Sequence, residues 1–309
     1  EDPLITGGYL IEVDAYAHNE PSQSWFTSSR GTPVTIKEPD EDGIVPAQYN
    51  YIKNFFSQME NKVFASDYTD EVNGYRSMLD LESFLKHFVV GEFSGNMDTY
   101  WSVYMYKDRN ENIFHVAPCW DFDLAFENDQ RIYPINGHSN WIYNSGSAAG
   151  QMKSFVTRIL NDPKAFQDLR TMWKKLRDNG TFSKESLFAY VDSTAQVLDQ
   201  SQQLNFTRWK ILSQVVHQNP RVPATYAEEI KFLKDEINYK YNFSIDLKTE
   251  KIGNNEYVSF YNVAAFMNNS GSKLILDKAA TYALVLDACV ESNKCSSRKI
   301  QVVYSQDDV

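Results

Sequence analysis

The chain has 309 residues, 42% hydrophobic and 14% aromatic, enough to close a sizeable core in one large domain or in a two-lobed domain with a small companion. A formal charge of −11 at pH 7 argues against non-specific binding to nucleic acid or to an anionic membrane. No apolar run reaches the ~18 residues that a membrane-spanning helix needs; no signal peptide is visible, and because the chain starts at Glu1 rather than Met, a removed leader is expected.

In chain order, residues 7–16 alternate well enough to predict a strand, residues 17–32 read as a polar loop, and Pro33–Lys37 as a second short strand. Glu38-Pro39-Asp40-Glu41-Asp42-Gly43 is an acidic turn, expected as a solvated face. Pro46 opens a helix to about Ala65, with Tyr49, Ile52, Phe55, Phe56, Met59 and Val63 inward. Residues 81–92 form another, N-capped by Asp80 and apolar at Leu81, Phe84, Leu85, Phe88 and Val89. A turn over 94–98 leads to strands Trp101–Tyr106 and Ile113–Ala117, joined as a hairpin by Lys107–Asn112. Residues 127–150 are irregular, anchored by Trp141 and Tyr143, and so long an aperiodic stretch is usually functional or mobile.

From 151 the chain is helical. Met152, Phe155, Val156, Ile159 and Leu160 share a face; Pro163 starts a second helix, Ser183 caps a third with Leu187, Tyr190, Val191, Val197 and Leu198, and 201–216 continue it or form a fourth. Thr225 and Glu228 make the capping box of a last helix, with Tyr226, Ile230, Leu233, Ile237 and Tyr241 inward. These apolar stripes are read as core. Residues 250–309 lose the helical period and carry strand-like runs at 257–261, 273–276, 282–286 and 300–304, a small β-rich module. Cys119, between Pro118 and Trp120, is expected as a buried thiol; Cys289 and Cys295 either close a hairpin disulfide or stay free. The five His are scattered, and Gly-x-Ser-x-Gly and zinc patterns are absent, which sets aside the usual hydrolases.

The chemistry lies in the acids around the hairpin. Asp98 precedes it; Asp121, 23 positions (121 − 98) beyond Asp98, and Asp123 follow it. A hairpin returns its ends to one place, so the three acids can share a site. Asp121 and Asp123 alternate with Trp120, Phe122 and Leu124, where an ionised carboxylate costs several kcal/mol unless paired or metal-bound. Carboxylates suit Mg²⁺, Mn²⁺ or Ca²⁺. Protein kinases use the same plan, a catalytic Asp before a hairpin and a metal-binding Asp after it, and Asp121-Phe122-Asp123 stands where they carry Asp-Phe-Gly. Val34-Thr35-Ile36-Lys37 matches the kinase strand whose Lys holds the phosphates, and Glu60 is placed to pair with Lys37; a solvent-facing Lys37 is the alternative. The competing reading of the site has Glu92, Asn96 and Asp98 capping the turn and Asp121 and Asp123 bonded to backbone amides.

The runs E-F-S-G-N-M-D-T-Y-W-S-V-Y-M-Y-K (92–107) and P-C-W-D-F-D-L-A-F (118–126) resemble the CotH family of spore-coat-protein-H-like kinases, in particular its Bacteroidetes-type branch. G-G-Y-L-I-E-V-D (7–14), P-V-T-I-K-E-P-D (33–40) and Q-Y-N-Y-I-K (48–53) add to the likeness, which covers roughly 7–245. The resemblance implies an α+β, protein-kinase-like two-lobed domain: a reduced N-lobe over 1–80, a catalytic hairpin with a helical C-lobe over 81–249, and the β-rich module of 250–309. It implies phosphate transfer from ATP to a protein Ser or another hydroxyl with Mg²⁺ or Mn²⁺, in a secreted, periplasmic or cell-surface protein. In these terms Asp98 is the base or positioner, Asp121 and Asp123 are metal ligands, and Lys37, Glu60, Glu92 and Asn96 complete the nucleotide site. Two features depart from the pattern. A Gly-rich phosphate loop is missing, and Ser102 stands where kinases place a second metal-binding Asn. The other expectation is therefore a pseudokinase-like surface or coat protein that keeps the fold for binding.

Overall fold

The computed structural model describes residues 5–131, 141–241, 248–252 and 255–259. Strands β1 (Tyr9–Val13), β2 (Trp25–Thr27) and β3 (Pro33–Glu38) precede α1 (Pro46–Phe64) and α2 (Leu81–Ser94). Strands β4 (Val103–Lys107) and β5 (His115–Val116) follow, then α3 (Gly146–Ala149), α4 (Met152–Leu160), α5 (Pro163–Asp178), α6 (Lys184–Val197), α7 (Asp199–Arg208), α8 (Tyr226–Tyr241), β6 (Lys248–Ile252) and β7 (Asn255–Ser259). Contacts divide the chain into two units, Glu1–Met172 with Leu204–Tyr226 and Trp173–Gln203 with Ala227–Val309.

The first unit is built on one five-stranded antiparallel sheet of order β2-β3-β1-β4-β5. The hairpin β4–β5 therefore extends the sheet begun by the first three strands, with Glu12 of β1 opposite both Thr35 and Tyr104. Alternation sorts the faces. Ile11, Val13, Val34, Ile36 and Met105 are buried, as are Ile52, Phe56 and Met59 of α1. Phe114 joins these layers, its ring 5.0 Å from Phe55 and 6.0 Å from Phe56.

Helix α2 starts where expected. The Asp80 carboxylate accepts from the Ser83 N–H at 3.1 Å, satisfying one of the four amides left open at a helix start. The helix is also stitched to the hairpin. Asp80 N–H donates to the Phe114 carbonyl, Phe114 N–H to the Met78 carbonyl, and Val116 N–H to Ser83 Oγ. These bonds set the ends of the β4–β5 ribbon against the helix whose last turn leads to Asp98.

Three expectations change. The loop expected over 17–32 contains β2, a three-residue strand whose Phe26 is buried; so short a strand shows no sequence period. Helices α6 and α7 contain no buried residue, so the Leu187–Tyr190–Val197 stripe is not core. Cys119 is exposed rather than enclosed, its Sγ 3.8 Å from His87 Nδ1, because Pro118 to Trp120 run along the surface. Trp141 and Tyr143 are buried anchors, as expected, each packed on Phe88. Helix α8 buries Ile237 and leaves the rest of its expected inner face half-buried. Of the expected β-rich module only the β6–β7 hairpin is described; the later strands and the Cys289–Cys295 pair lie outside the described residues. No helix among the described residues is long and apolar enough to cross a membrane.

Candidate active site

Asp98 is presented by a tightly specified turn. Gly95 ends α2 in the left-handed region (φ 67°), which only glycine adopts freely, and its N–H reaches back to the Glu92 and Gly91 carbonyls. Asn96 is buried, and its Oδ1 accepts from the Asp98 N–H at 3.0 Å. Asn96 thus shapes the turn that carries Asp98. Gly91 lets this turn lie on the helix: a Cβ there would stand 2.2 Å from Thr99 Oγ1.

Asp121 and Asp123 arrive from the other side. Trp120 donates from Nε1 to the Ser102 carbonyl at 2.8 Å, which ties the two ends of the hairpin together, and Phe126 N–H donates to the Ser94 carbonyl at 2.7 Å, which ties the segment after the hairpin to the last residue of α2. Both acids are exposed, and Asp121 has φ 60°. The segment is a turn, so the alternation with Trp120, Phe122 and Leu124 leaves the carboxylates exposed, and only part of the expected desolvation remains. Their closeness adds to it. Partial desolvation, a hydrogen bond shared with Asp123, and the charges of Asp123 and Asp98 hold the Asp121 carboxyl above its ordinary value. The three acids expected to share a site are thus in electrostatic contact.

A cation unforeseen in the sequence stands on Asp98. Arg131 grips Asp98 with Nη1 to Oδ1 at 3.0 Å and Nη2 to Oδ2 at 2.8 Å, and its Nε bonds both oxygens of Asp129 at 3.0 and 2.8 Å. Asp129 is fully buried and also accepts from the Arg131 N–H. Hydrogen bonds to Asp129 and then Asp98 drive the guanidinium pKa still higher, so this fork stays charged. A signal was present: Arg131 is the sole Lys or Arg between Arg109 and Lys153, a span that holds five acids.

The remaining expected residues make other contacts. Lys37 does not pair with Glu60. Its Nζ lies 2.9 Å from Glu12 Oε2 and 3.7 Å from Glu20 Oε1, because strand alternation puts it on the Glu12 face. Glu60 faces inward on α1 and accepts from the Ser28 and Thr32 hydroxyls; its four-residue spacing from Phe56 was the available sign. Glu92 is buried and accepts from Tyr100 Oη at 2.5 Å and from the Ile142 and Tyr143 N–H groups at 2.7 and 2.9 Å. It latches the 141–143 segment to α2. Ser102 has φ 57° and bonds Trp120 through its carbonyl.

Among the described residues no group of three or more His, Cys, Asp or Glu is gathered as a metal cage. A pair of adjacent carboxylates still fits Mg²⁺ or Mn²⁺, since Mg²⁺ is commonly held by one or two carboxylates with waters and substrate phosphates. Both carboxylates are exposed and lie two residues apart on one turn, so the donor set suits the group.

The family profile described as CotH kinase protein matches residues 4–244, and the chain belongs to that family. No curated protein matches the chain. The mixed helices and antiparallel sheet are compatible with a kinase-like α+β fold.

Proposed function

We propose that this member of the CotH kinase family is a phosphotransferase that moves phosphate from ATP to the hydroxyl of a protein Ser or a comparable acceptor. The observation that carries the reading is the electrostatic contact of Asp121 with Asp123 and Asp98 across the ends of one hairpin. Phosphoryl transfer asks a protein mainly for positioning and charge. Asp121 and Asp123 would hold a divalent cation, which supplies neutralisation of phosphate charge when bound. Asp98 would orient the acceptor hydroxyl and take its proton. Lys37, kept charged and fixed by Glu12, would attract the nucleotide phosphates. The reduced N-lobe, the Bacteroidetes-type branch and a secreted, periplasmic or surface setting belong to the same proposal.

A second reading, a catalytically silent binding protein, is favoured by the Arg131 fork on Asp98, which occupies both oxygens of the proposed base. Thermal shift with ATP and Mg²⁺, run on wild type and Asp121→Ala, separates the two. The phosphotransferase reading expects a metal-dependent rise that the variant loses, together with transfer of labelled phosphate. No rise in either protein leaves the silent reading.

A further inference from the structure

Residues 200–227 contain no Asp or Glu, in a chain with 41 acids among 309 residues. The same stretch contributes Arg208, Lys210 and Arg221. Arg208 and Lys210 are exposed and flank Trp209, which is 56% exposed, and Ile211 and Val215 are exposed beside them. Arg208 lies 5.1 Å from the Trp209 ring centre, a cation–π contact that holds the indole in place. Large apolar side chains left together in water, with Trp and Arg at the centre, have the make-up of a protein-binding surface.

This strip is fastened to the candidate site. Ser213 N–H donates to the Pro223 carbonyl, closing the loop on itself. Gln130 N–H donates to the Gln218 carbonyl at 2.7 Å, and Asn219 Nδ2 donates to Asn128 Oδ1 at 2.6 Å. Asn128 Nδ2 in turn donates to the Asp123 carbonyl at 2.9 Å. The basic, apolar loop is thus bonded to the turn that carries Asp123 and to the segment that carries Arg131.

We propose that residues 208–215 form a docking strip for a protein segment that is acidic and bears apolar side chains, the acceptor of the phosphotransfer reaction. The sign follows from complementarity. An acid-free stretch with exposed Arg208 and Lys210, on a chain of charge −11, is the place where a short acidic segment is attracted. A long polyanion, or an anionic membrane, also meets the surrounding negative charge. The apolar side chains on the partner would cover Trp209, Ile211 and Val215. The inference rests on the phosphotransfer reading only for the use to which the bound segment is put.

The test uses the full chain without nucleotide or metal and measures fluorescence anisotropy. The probe is a labelled short peptide that alternates Glu and Asp with Phe and Leu around one Ser. Expected are saturable binding that weakens with salt, and a loss of about tenfold in affinity both for Trp209→Ala and for Arg208→Glu with Lys210→Glu. All three positions are exposed, and melting curves check that the variants fold. The proposal is overturned if a Lys-for-acid peptide binds as well, if neither variant weakens binding, or if the strip serves another occupant. The last case would show as self-association in sedimentation, or as preferential binding to phosphatidylserine vesicles, abolished by the same substitutions. Peptide binding without any transfer of labelled phosphate keeps the strip and removes the phosphotransfer reading. Transfer that is equal in wild type and both variants, without peptide binding, does the reverse.

Discussion

Arg131 and Asp98, 33 positions apart, meet in a two-pronged ion pair. The same guanidinium neutralises Asp129, which has no exposure of its own. Removing one partner of a fully buried pair costs about 3–5 kcal/mol. Water screens a guanidinium whose side chain is 38% exposed, so Arg131→Ala is expected to cost about 2 kcal/mol in urea denaturation. Asp129→Asn in the same background should recover most of it. The substitution also deletes the positive charge held on Asp98, whose own charge bears on Asp121. Calorimetric titration with Mn²⁺ should therefore show tighter binding in Arg131→Ala than in wild type. Weaker binding would mean that the fork organises the acids rather than competing with a cation.

The Asp121 carboxyl gives a pH signature. Its folded-state pKa is raised above 3.8, first by partial desolvation, then by Asp123 and Asp98. Between 3.8 and the raised value the native chain holds a proton that the unfolded chain has released. Stability therefore falls as pH rises through that window, and the penalty persists above it. Asp121→Asn should flatten this slope and melt no lower than wild type at neutral pH. Mg²⁺ should raise the wild-type melting temperature above the window and not below it. Parallel pH profiles for the two proteins would remove the coupling of the acids.

Much of this arrangement was legible in the residues. The Asp80 cap, the apolar face of α2 and the hairpin are local signals, and a hairpin brings its flanks together whatever packs around it. That is why Asp98 and Asp121 could be placed near each other. The Glu12–Lys37 pairing depends on which strands become neighbours, and β1 lies between β3 and β4, a fact that alternation alone does not carry. Arg131 was hidden because an aperiodic loop gives no register for its side chains. Helix α6 shows the opposite failure: its apolar residues are spaced as a core face, yet none of them is buried.

Gly91 and Thr99 give a test of how the Asp98 turn is seated. A Cβ on Gly91 would lie 2.2 Å from Thr99 Oγ1 and 2.4 Å from its Cγ2. Thr99 cannot step aside: it is buried, and its carbonyl accepts from His87 Nε2 at 2.8 Å. Gly91→Ala is expected to cost about 1–3 kcal/mol by overpacking. Thr99→Ala in that background should return part of the loss, a coupling of about 1 kcal/mol in a double-mutant cycle. Simple additivity of the two substitutions would show that the turn does not rest on the helix at this point.

Lys37 separates a structural from a nucleotide-binding role. Its ammonium faces Glu12, whose side chain is only 6% exposed and which stands opposite Tyr104 in the sheet. Trp120 packs edge-on against Tyr104 at 5.0 Å, so the pair adjoins the residue before Asp121. Desolvation lowers the Lys37 pKa, but the Glu12 bond and charge outweigh it and the net shift is upward. The pair's contribution is then complete below 10.5 and lost as pH climbs through the raised value. Lys37→Met leaves Glu12 uncompensated and is expected to cost about 2 kcal/mol. Adding Glu12→Gln removes the stranded charge and should restore stability. If Lys37 attracts nucleotide phosphates, the double variant nonetheless keeps the weakened affinity for ATP with Mg²⁺, by about tenfold, since a charge-assisted bond to phosphate contributes about 1.5–3 kcal/mol. Recovery of ATP affinity along with stability would reduce Lys37 to a strut of the sheet.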